Sequence, residues 1–313
     1  MTIFEAPQVV QVDRRPALGY LTYLLASVLF SLNGTVCKYL LLDGIPWMRL
    51  AQLRVTCAFI VLLAIVAATN RKAFRLRKGE LRRLAIYGVF GIAATQSMYF
   101  LSIERLPIGV SLIFEFTAPI MVALWFRFVM HEPVRNRVFG ALVLALLGLA
   151  MVAEVWQGFT LDVIGITAAF GAAVSLVLYF VVGERLVAHR DPVSLTMWGF
   201  GCAAVFWAVV QPWWTFPWNT LTSSVSILGA NGPTVADWWL IAWMVILGTV
   251  IPFALVLSSL RHLRATQASI VGMTEPLIAS LIAFAFLGEA LTSLQILGGA
   301  IVLCGVLMAE TAR

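Results

Sequence analysis

Apolar runs long enough to cross a lipid bilayer follow one another along almost the whole chain. A hydrocarbon core about 30 Å thick is crossed by about 20 apolar residues in a helix. Hydrophobic residues make up 61% of this chain and charged residues 12%, whereas a typical soluble domain has about 25% charged residues. Too few polar side chains remain to cover a water-facing surface. We therefore expect lipid to surround most of the protein.

The apolar runs predict ten membrane-spanning helices. Their ranges are 17–38, 48–68, 84–102, 107–130, 137–154, 162–184, 193–211, 238–260, 265–287 and 291–310. Backbone groups in hydrocarbon must hydrogen-bond within their own segment, which favours a helical bundle. The runs do not alternate apolar and polar residues, as the strands of a membrane barrel would. The predicted fold class is an all-α membrane protein.

The positive charges predict the orientation of the bundle. Most of the 21 Lys and Arg residues fall at one side of the predicted helices, with the richest link at 71–83, and the remaining four are expected at or in the outer helix ends, namely Lys38, Arg49, Arg54 and Arg105. The long link at 211–237 contains no Lys or Arg. Because cytoplasmic loops collect Lys and Arg, both termini are predicted to be cytoplasmic, with 1–16 as a cytoplasmic tail and 211–237 as an outer loop. We expect no cleavable signal peptide, because the first apolar run is long enough to remain as a helix.

The second half of the chain repeats the first. Residues 102–132 align with 259–289 at an offset of 157, and a shorter correspondence pairs Asn33 with Tyr179. The identities are Ser102/Ser259, Leu106/Leu263, Ile113/Ile270, Thr117/Thr274, Pro119/Pro276, Leu124/Leu281 and Glu132/Glu289. Each half, 17–154 and 162–310, would hold five helices. Since five is odd, the halves are predicted to be inverted repeats, a common plan of secondary transporters.

Several of these stretches resemble a known family. They are SLNGTVCK at 31–38, AQLR at 51–54, YFLSIERLPIGVSLIFEFTAPIMVAL at 99–124, and the segment 258–306 with its EPL and LGE motifs. Together they are similar to the drug/metabolite transporter superfamily, in particular to ten-helix permeases with two EamA-type repeats. The EFTAP motif resembles the threonine/homoserine exporters. The resemblance implies an inner-membrane carrier with a central cavity lined by both repeats, and the long loop 211–237 departs from the family pattern.

Two glutamates, Glu115 and Glu275, lie inside apolar runs. A charged side chain in the membrane costs at least about 2.5–3.5 kcal/mol and usually faces a polar path. Glu115 is predicted either to meet the amino group of a substrate or carry a proton, or to be a protonated glutamate bonded to a neighbouring helix. Glu275 is predicted either to join the same site or to satisfy broken-helix backbone groups. No cation is expected at the depth of Glu115.

Two prolines stand close to these glutamates, at the matching repeat positions Pro119 and Pro276. Proline removes an N–H from a helix and frees a carbonyl one turn earlier. Carbonyls freed near residues 115 and 272 could contact a substrate or a cation. We interpret the prolines mainly as hinges or kinks.

Four polar residues complete the predicted binding site. Asn33 and Tyr179 occupy matching repeat positions, and Gln96 and Tyr99 share a helix face at a spacing of three residues. All four can hydrogen-bond to a substrate, and Tyr179 could also close a gate. The alternative is hydrogen bonding between helices, which is common among polar side chains in membranes.

Metals, cofactors and nucleic acid are not expected as partners. The cysteines Cys37, Cys57, Cys202 and Cys304 and the histidines His131, His189 and His262 show no metal or disulfide spacing. The net charge of +6 is explained by the orientation of the helices, without a basic soluble module for nucleic acid.

Three classes of function were compared. A membrane enzyme is disfavoured because the chain lacks a phosphate-binding loop, an HExxH motif and a compact nucleophile–base pair. A non-transporting scaffold would not need buried acids and prolines in both halves. We predict a secondary transporter, an exporter of amino acids or related small metabolites across the cytoplasmic membrane by alternating access. A drug, nucleobase or sugar remains an alternative substrate, and proton coupling, direction of flux and oligomeric state remain open.

Overall fold

The computed structural model describes residues 15–77, 79–106, 108–154, 162–218, 221, 223–227, 233–282 and 292–311. These residues are mostly helical. The first half contains α1 (Pro16–Leu42), α2 (Trp47–Thr69), α3 (Glu80–Ile86), α4 (Ala94–Arg105), α5 (Ile108–Glu115), α6 (Ala118–Leu124) and α7 (Asn136–Val152). The second half contains α8 (Val163–Val187), α9 (Pro192–Val210), α10 (Asp237–Val245), α11 (Ile251–Ser259), α12 (Ala265–Gly272), α13 (Glu275–Ile282) and α14 (Ser293–Thr311).

Short irregular stretches modify these helices. A π-helical stretch at Tyr87–Ala93 joins α3 to α4, a second at Ile246–Val250 joins α10 to α11, and a third at Trp125–Val129 extends α6. Such π turns are rare and often lie at functional sites. Short 3₁₀ turns lie at Arg71–Phe74 and Trp213–Thr215.

Seven helical segments among the described residues are long and apolar enough to cross a membrane. They are Pro16–Leu41, Trp47–Thr69, Glu80–Arg105, Gly109–Val129, Val163–Val187, Pro192–Val210 and Asp237–Ser259. Asn136–Val152 and Ser293–Ala309 are shorter apolar helices. The ninth predicted run, 265–287, consists of the short helices α12 and α13 and is described only as far as Ile282. A mostly helical membrane-spanning fold is confirmed, whereas the total of ten spans stays a prediction.

The outward surface of the bundle is apolar. Leu21, Phe128, Val209 and Leu307 each expose more than 60% of their area. Exposed apolar surface this extensive indicates contact with a membrane or a partner. The polar side chains Asn33, Gln52 and Arg54 are instead buried inside, and this distribution agrees with the expectation that lipid surrounds the helices.

Helices α7 and α14 pack backbone to backbone. A Cβ added to Gly148 would lie 2.7 Å from the carbonyl oxygen of Gly298, and one added to Gly305 would lie 2.8 Å from that of Ala141. Small residues allow helices in membranes to approach this closely. At the repeat offset of 157, Gly148 corresponds to Gly305 and Ala141 to Gly298, so the two contacts interchange. The later residue of α7 meets the earlier residue of α14, so these equivalent helices run antiparallel.

The remaining helices pack in pairs that also interchange when the two halves are exchanged. Helix α1 packs against α11 and against the α12–α13 pair, and correspondingly α8 packs against α4 and against the α5–α6 pair. The fold is therefore a two-fold repeat in its packing as well as in its sequence. The boundaries of the repeats, their inversion across a membrane and the cytoplasmic position of both termini stay predictions.

The end of the bundle at which α1 begins is bridged by contacts between the halves. The hydroxyl of Tyr20 accepts a hydrogen bond of 3.1 Å from Gln267, and Arg264 pairs with Glu132 at 3.0 Å. One turn deeper, the rings of Tyr23 and Phe180 stack with centroids 6.4 Å apart. Glu289, which the repeat matches to Glu132, lies outside the described residues.

At the opposite end, the first part of the predicted outer loop is bound to α2. The Arg49 guanidinium donates to the carbonyl oxygens of Pro212 at 3.3 Å and Thr215 at 3.1 Å. Further along, the loop forms an antiparallel hairpin that the sequence reasoning did not predict, with β1 (Ser224–Ser226) paired to β2 (Thr234–Ala236). Residues 219, 220, 222 and 228–232 of this loop lie outside the described residues, as do 1–14 of the predicted tail.

Helix α8 begins at a capping aspartate at this same end. The Asp162 carboxylate accepts a 2.7 Å hydrogen bond from the backbone N–H of Gly165 and lies 3.4 Å from the Arg105 guanidinium. The Gly165 bond, assisted by Arg105, holds the pKa of Asp162 below its usual value. The cap fixes the start of α8 within one residue of the predicted span.

Candidate functional site

A cavity of about 240 Å³ lies between the two halves. Its lining comes from α1, α2, α4, α5, α6, α8, α11, α12 and α13 and from the π stretch before α4. It includes all eight residues singled out in the sequence, namely Asn33, Gln96, Tyr99, Glu115, Pro119, Tyr179, Glu275 and Pro276. One water needs about 10–15 Å³ of such volume, so the cavity can hold a small metabolite with several waters.

Both glutamates lie at breaks in their helices. Helix α5 ends at Glu115 and α6 begins at Ala118, whereas α12 ends at Gly272 and α13 begins at Glu275. Pro119 and Pro276 are each the second residue of the helix that follows the break, a position where the missing N–H of proline leaves no helical bond unmade. The predicted kinks are therefore full interruptions of the helix.

A threonine hydroxyl closes each break in the same way. Thr117 donates through Oγ1 to the carbonyl oxygen of Phe114 at 2.6 Å, and Thr274 donates to that of Val271 at 2.7 Å. The backbone N–H of each threonine donates to the same carbonyl, at 3.1 Å in Thr117 and 3.0 Å in Thr274, so each threonine closes a tight turn at the end of its helix. The identical threonines of the repeat alignment thus have the same structural task in both halves.

The surroundings of the two breaks differ. The Ser31 hydroxyl of α1 lies 2.8 Å from the main-chain oxygen of Glu275 and 2.7 Å from that of Ser27, so its one proton is shared between the two acceptors. Gly272, the repeat counterpart of Glu115, lies beneath the Tyr23 hydroxyl, which would be 2.8 Å from an added Cβ. The second break is consequently attached to α1 by a hydrogen bond and by close packing.

No cation among the described residues is bonded to the carboxylates of Glu115 and Glu275. Both are only half-buried, because the cavity gives access to them. Within the described residues, neither Glu115 nor Glu275 makes a side-chain hydrogen bond or an ion pair within 4.0 Å. The two groups are close enough to interact electrostatically. The alternative of a Glu115 carboxyl bonded to a neighbouring helix finds no partner among these residues.

Gln96 and Asn33 present buried polar atoms to the cavity. Gln96 is 5% exposed, and neither its Oε1 nor its Nε2 has a hydrogen-bond partner in the part of the chain that the structure describes. Asn33 donates to the Cys37 sulfur at 3.5 Å, and its Oδ1 has no hydrogen-bond partner there. Because a buried polar group without a partner costs about 1–3 kcal/mol, these amides are suited to bind a ligand or ordered water.

The two tyrosines take different positions. The Tyr179 ring belongs to an aromatic cluster, with its centroid 5.4 Å from Tyr87 and 5.7 Å from Phe253. Tyr99 is half-buried and lies within electrostatic range of both glutamates. Tyr99 is thus placed beside the acids, and Tyr179 forms part of an apolar wall.

Arg54 corrects one expectation from the sequence. It was placed among the cations at outer helix ends, yet it is 6% exposed and lines the same cavity as the two glutamates. Its Nε donates to the Thr249 hydroxyl at 2.7 Å and its Nη2 to the carbonyl oxygen of Gly248 at 2.9 Å. A cation therefore does face the cavity. The signal was present in the sequence as an arginine within the apolar run of α2.

Metal-binding geometry was also sought. Among the described residues, no three His, Cys, Asp or Glu side chains come together as a metal site would require. The four cysteines are free.

The chain matches the model of the EamA-like transporter family over residues 17–153 and again over 163–311. The threonine/homoserine exporter RhtA of Salmonella typhimurium strain SL1344 is 27% identical over 94% of this chain and 90% of its own length. RhtA of Escherichia coli K12 is 28% identical over 83% and 82%. An uncharacterized transporter of Archaeoglobus fulgidus is 25% identical over 89% and 92%.

A solved crystal structure shares the fold with a TM-score of 0.74, covering 94% of this chain and 97% of the other at 16% identity. At that identity the likeness concerns the fold alone. The family match covers both repeats and nearly the whole chain, and the relatives are membrane transporters rather than enzymes. The chain belongs to the EamA-like transporter family.

Proposed function

We propose that the protein is a secondary transporter that exports amino acids or related small metabolites across the cytoplasmic membrane. The observation that supports this most directly is one cavity, between two repeated halves, that is faced by two intramembrane carboxylates to which no cation of the described residues is bonded. Intramembrane acids of this kind mark substrate or ion pathways. The names of the RhtA relatives favour an amino-acid substrate.

In this proposal, Glu115 and Glu275 bind the amino group of the substrate. An ammonium group between two carboxylates would offset their mutual repulsion and form charge-assisted hydrogen bonds, which are the stronger class. Asn33, Gln96 and Tyr99 supply further polar contacts. Tyr179 forms the aromatic side of the cavity.

Alternating access would move the inverted halves against each other around this cavity. The breaks before Pro119 and Pro276 are the points at which each half can bend. The antiparallel seam of α7 with α14 supports inverted repeats. With the predicted orientation, the end at which Tyr23 stacks on Phe180 is the cytoplasmic end.

Proton coupling through Glu115 is a second part of the proposal. A carboxyl that faces a membrane cavity can bind the substrate in one direction of the transport cycle and a proton in the other. Exchange of radiolabelled substrate at a series of pH values tests this. If Glu115→Gln transports normally and keeps the pH response of the wild type, the proton role is wrong.

The substrate class is tested with purified protein in liposomes. Vesicles loaded with unlabelled threonine, homoserine, a nucleobase, a sugar or a cationic drug are assayed for counterflow of the matching labelled compound. We expect counterflow with the amino acids and weaker counterflow in Glu115→Gln. Glu104→Gln is the matched control, because that glutamate is exposed on α4 and does not line the cavity. Counterflow of only the nucleobase, sugar or drug would overturn the amino-acid assignment.

A further inference from the structure

The guanidinium of Arg54 is held in place without being neutralised. Its described partners are a hydroxyl and a carbonyl, Thr249 at 2.7 Å and Gly248 at 2.9 Å. Both are uncharged. The Phe100 ring adds a cation–π contact at 5.8 Å from its centroid, which attracts the charge but does not cancel it. The Nη1 atom has no hydrogen-bond partner among the described residues.

The π stretch at Ile246–Val250 provides this support. The Thr249 hydroxyl donates to the carbonyl oxygen of Met244, five residues earlier, at 2.7 Å, and it accepts from Arg54. Gly248 leaves room for the Asn33 side chain of α1, because an added Cβ would lie only 1.9 Å from its Oδ1. The stretch thus fixes one side of the guanidinium and leaves the other side to the cavity.

Opposite charges face one cavity without forming a pair. Arg54 lies within electrostatic range of Glu275, but no ion pair within 4.0 Å joins it to either glutamate in the described part of the chain. Tyr99 lies within electrostatic range of all three charges, which places it among them. A buried charge is costly unless it is paired and hydrogen-bonded, so the arrangement is complete only when a ligand supplies both partners.

We infer that Arg54 binds the carboxylate of a zwitterionic substrate whose amino group faces Glu115 and Glu275. This inference rests on the proposed function and adds to it the residue that selects for a carboxylate. A planar guanidinium suits this task, because its donors match the two oxygens of a carboxylate. A simple amine would leave Arg54 without a partner, and a simple anion would leave the glutamates without one.

Gln96 supports the same arrangement. Its amide is buried in the cavity lining and has neither its donor nor its acceptor bonded within the described residues. A zwitterion offers an acceptor at one end and a donor at the other, so a single amide can bond to either group. A purely cationic or anionic ligand would use only half of this side chain.

The test compares threonine with threonine amide, which differ in the carboxylate alone. Competition by each compound against labelled threonine counterflow gives an apparent affinity for the wild type and for Arg54→Gln and Arg54→Lys. We expect the wild type to bind threonine about tenfold or more tightly than threonine amide. The free energy of one hydrogen bond to a charged group corresponds to an affinity ratio of this size. The preference should vanish in Arg54→Gln and be partly kept in Arg54→Lys.

Arg49→Gln is the matched control, because Arg49 lies on the same helix but bonds to the outer loop. It should keep the preference of the wild type. A wild type that binds both compounds equally, or an Arg54→Gln that keeps the full preference, would overturn the inference and leave the proposed function intact. A wild type that exchanges no amino acid would overturn both. If Arg54→Gln fails to fold, Arg54→Lys provides the test. A full preference for threonine over threonine amide in that variant would overturn the role of the guanidinium.

Discussion

At the seam between α7 and α14, the closest backbone contacts of Gly148 have their counterparts at Gly305. Gly148 meets the backbone of Gly298 and Val302, and Gly305 meets that of Ala141 and Ala145 at nearly the same distances. At the two broken helices the threonines and prolines match, but the acids do not. Glu115 precedes its break and Glu275 follows its own.

The attachment of the breaks differs as well. Ser31 binds the second break to α1, and its repeat counterpart in α8 is Val177, which has no hydroxyl to donate. The comparison teaches that the packing scaffold preserves the repeat, whereas the lining of the cavity departs from it. A substrate without two-fold symmetry requires such a departure, since its two ends need different partners.

The largest expected effect comes from removing the charge of the glutamate that follows the second break. Glu275→Gln should lower amino-acid counterflow by about tenfold or more, because a charge-assisted bond to the substrate is lost. The loss should exceed that of Glu115→Gln, since Glu275 interacts electrostatically with Arg54 as well as with Glu115. Counterflow kinetics in liposomes provide the measurement. Equal losses in the two variants would contradict the unequal roles.

A second prediction tests whether the α7–α14 seam is equivalent on its two sides. Gly148→Ala and Gly305→Ala should each destabilise the protein by about 1–3 kcal/mol, the usual cost of overpacking. The two values should be similar, because the added methyl groups meet equivalent backbone atoms. Denaturant unfolding in detergent measures both.

The control for the seam is Gly140→Ala, where nothing lies within 4 Å of the added Cβ. That variant should be slightly more stable, since alanine is favoured over glycine within a helix by about 1 kcal/mol. Strongly unequal costs for Gly148 and Gly305 would show that the seam is not equivalent on its two sides.

The smallest expected effect concerns the attachment of the second break. Ser31→Ala should destabilise by about 0.5–1.5 kcal/mol, the net contribution of one hydrogen bond. Ser27→Ala is matched to it, because Ser27 is buried one turn earlier and its hydroxyl has no partner among the described residues. Thermal unfolding in detergent should separate the two. Identical melting temperatures would contradict the stabilising role of the Ser31 hydroxyl.

Much of this arrangement could be predicted from the sequence. The apolar runs located the helices because lipid imposes their length, and the repeat brought Thr117 and Thr274 into equivalent positions. Glu115 and Glu275 were identifiable because acids in apolar runs are rare. The pattern of residues suggested that both glutamates line one cavity, and the packing of the helices in the structure brings them there.

Other features depended on three-dimensional contacts between distant segments. Arg54 looked like an end-of-helix cation, and only its contacts with Thr249 and Gly248, nearly two hundred positions later, place it in the cavity. The π stretches leave no periodic signature, since they insert a wider turn into an otherwise apolar helix. The hairpin of β1 and β2 lies in a loop whose polar composition favoured no particular structure.

Gly248 has a consequence for the mutational tolerance of the chain. Its backbone contacts α1 at Asn33 and α2 at Arg54, so one position without a side chain aligns two helices of the opposite half. In a saturation-mutagenesis screen for folded protein, codon 248 should tolerate almost no replacement. Even alanine, the mildest substitution, should not be tolerated, although Gly248 is absent from the cavity lining.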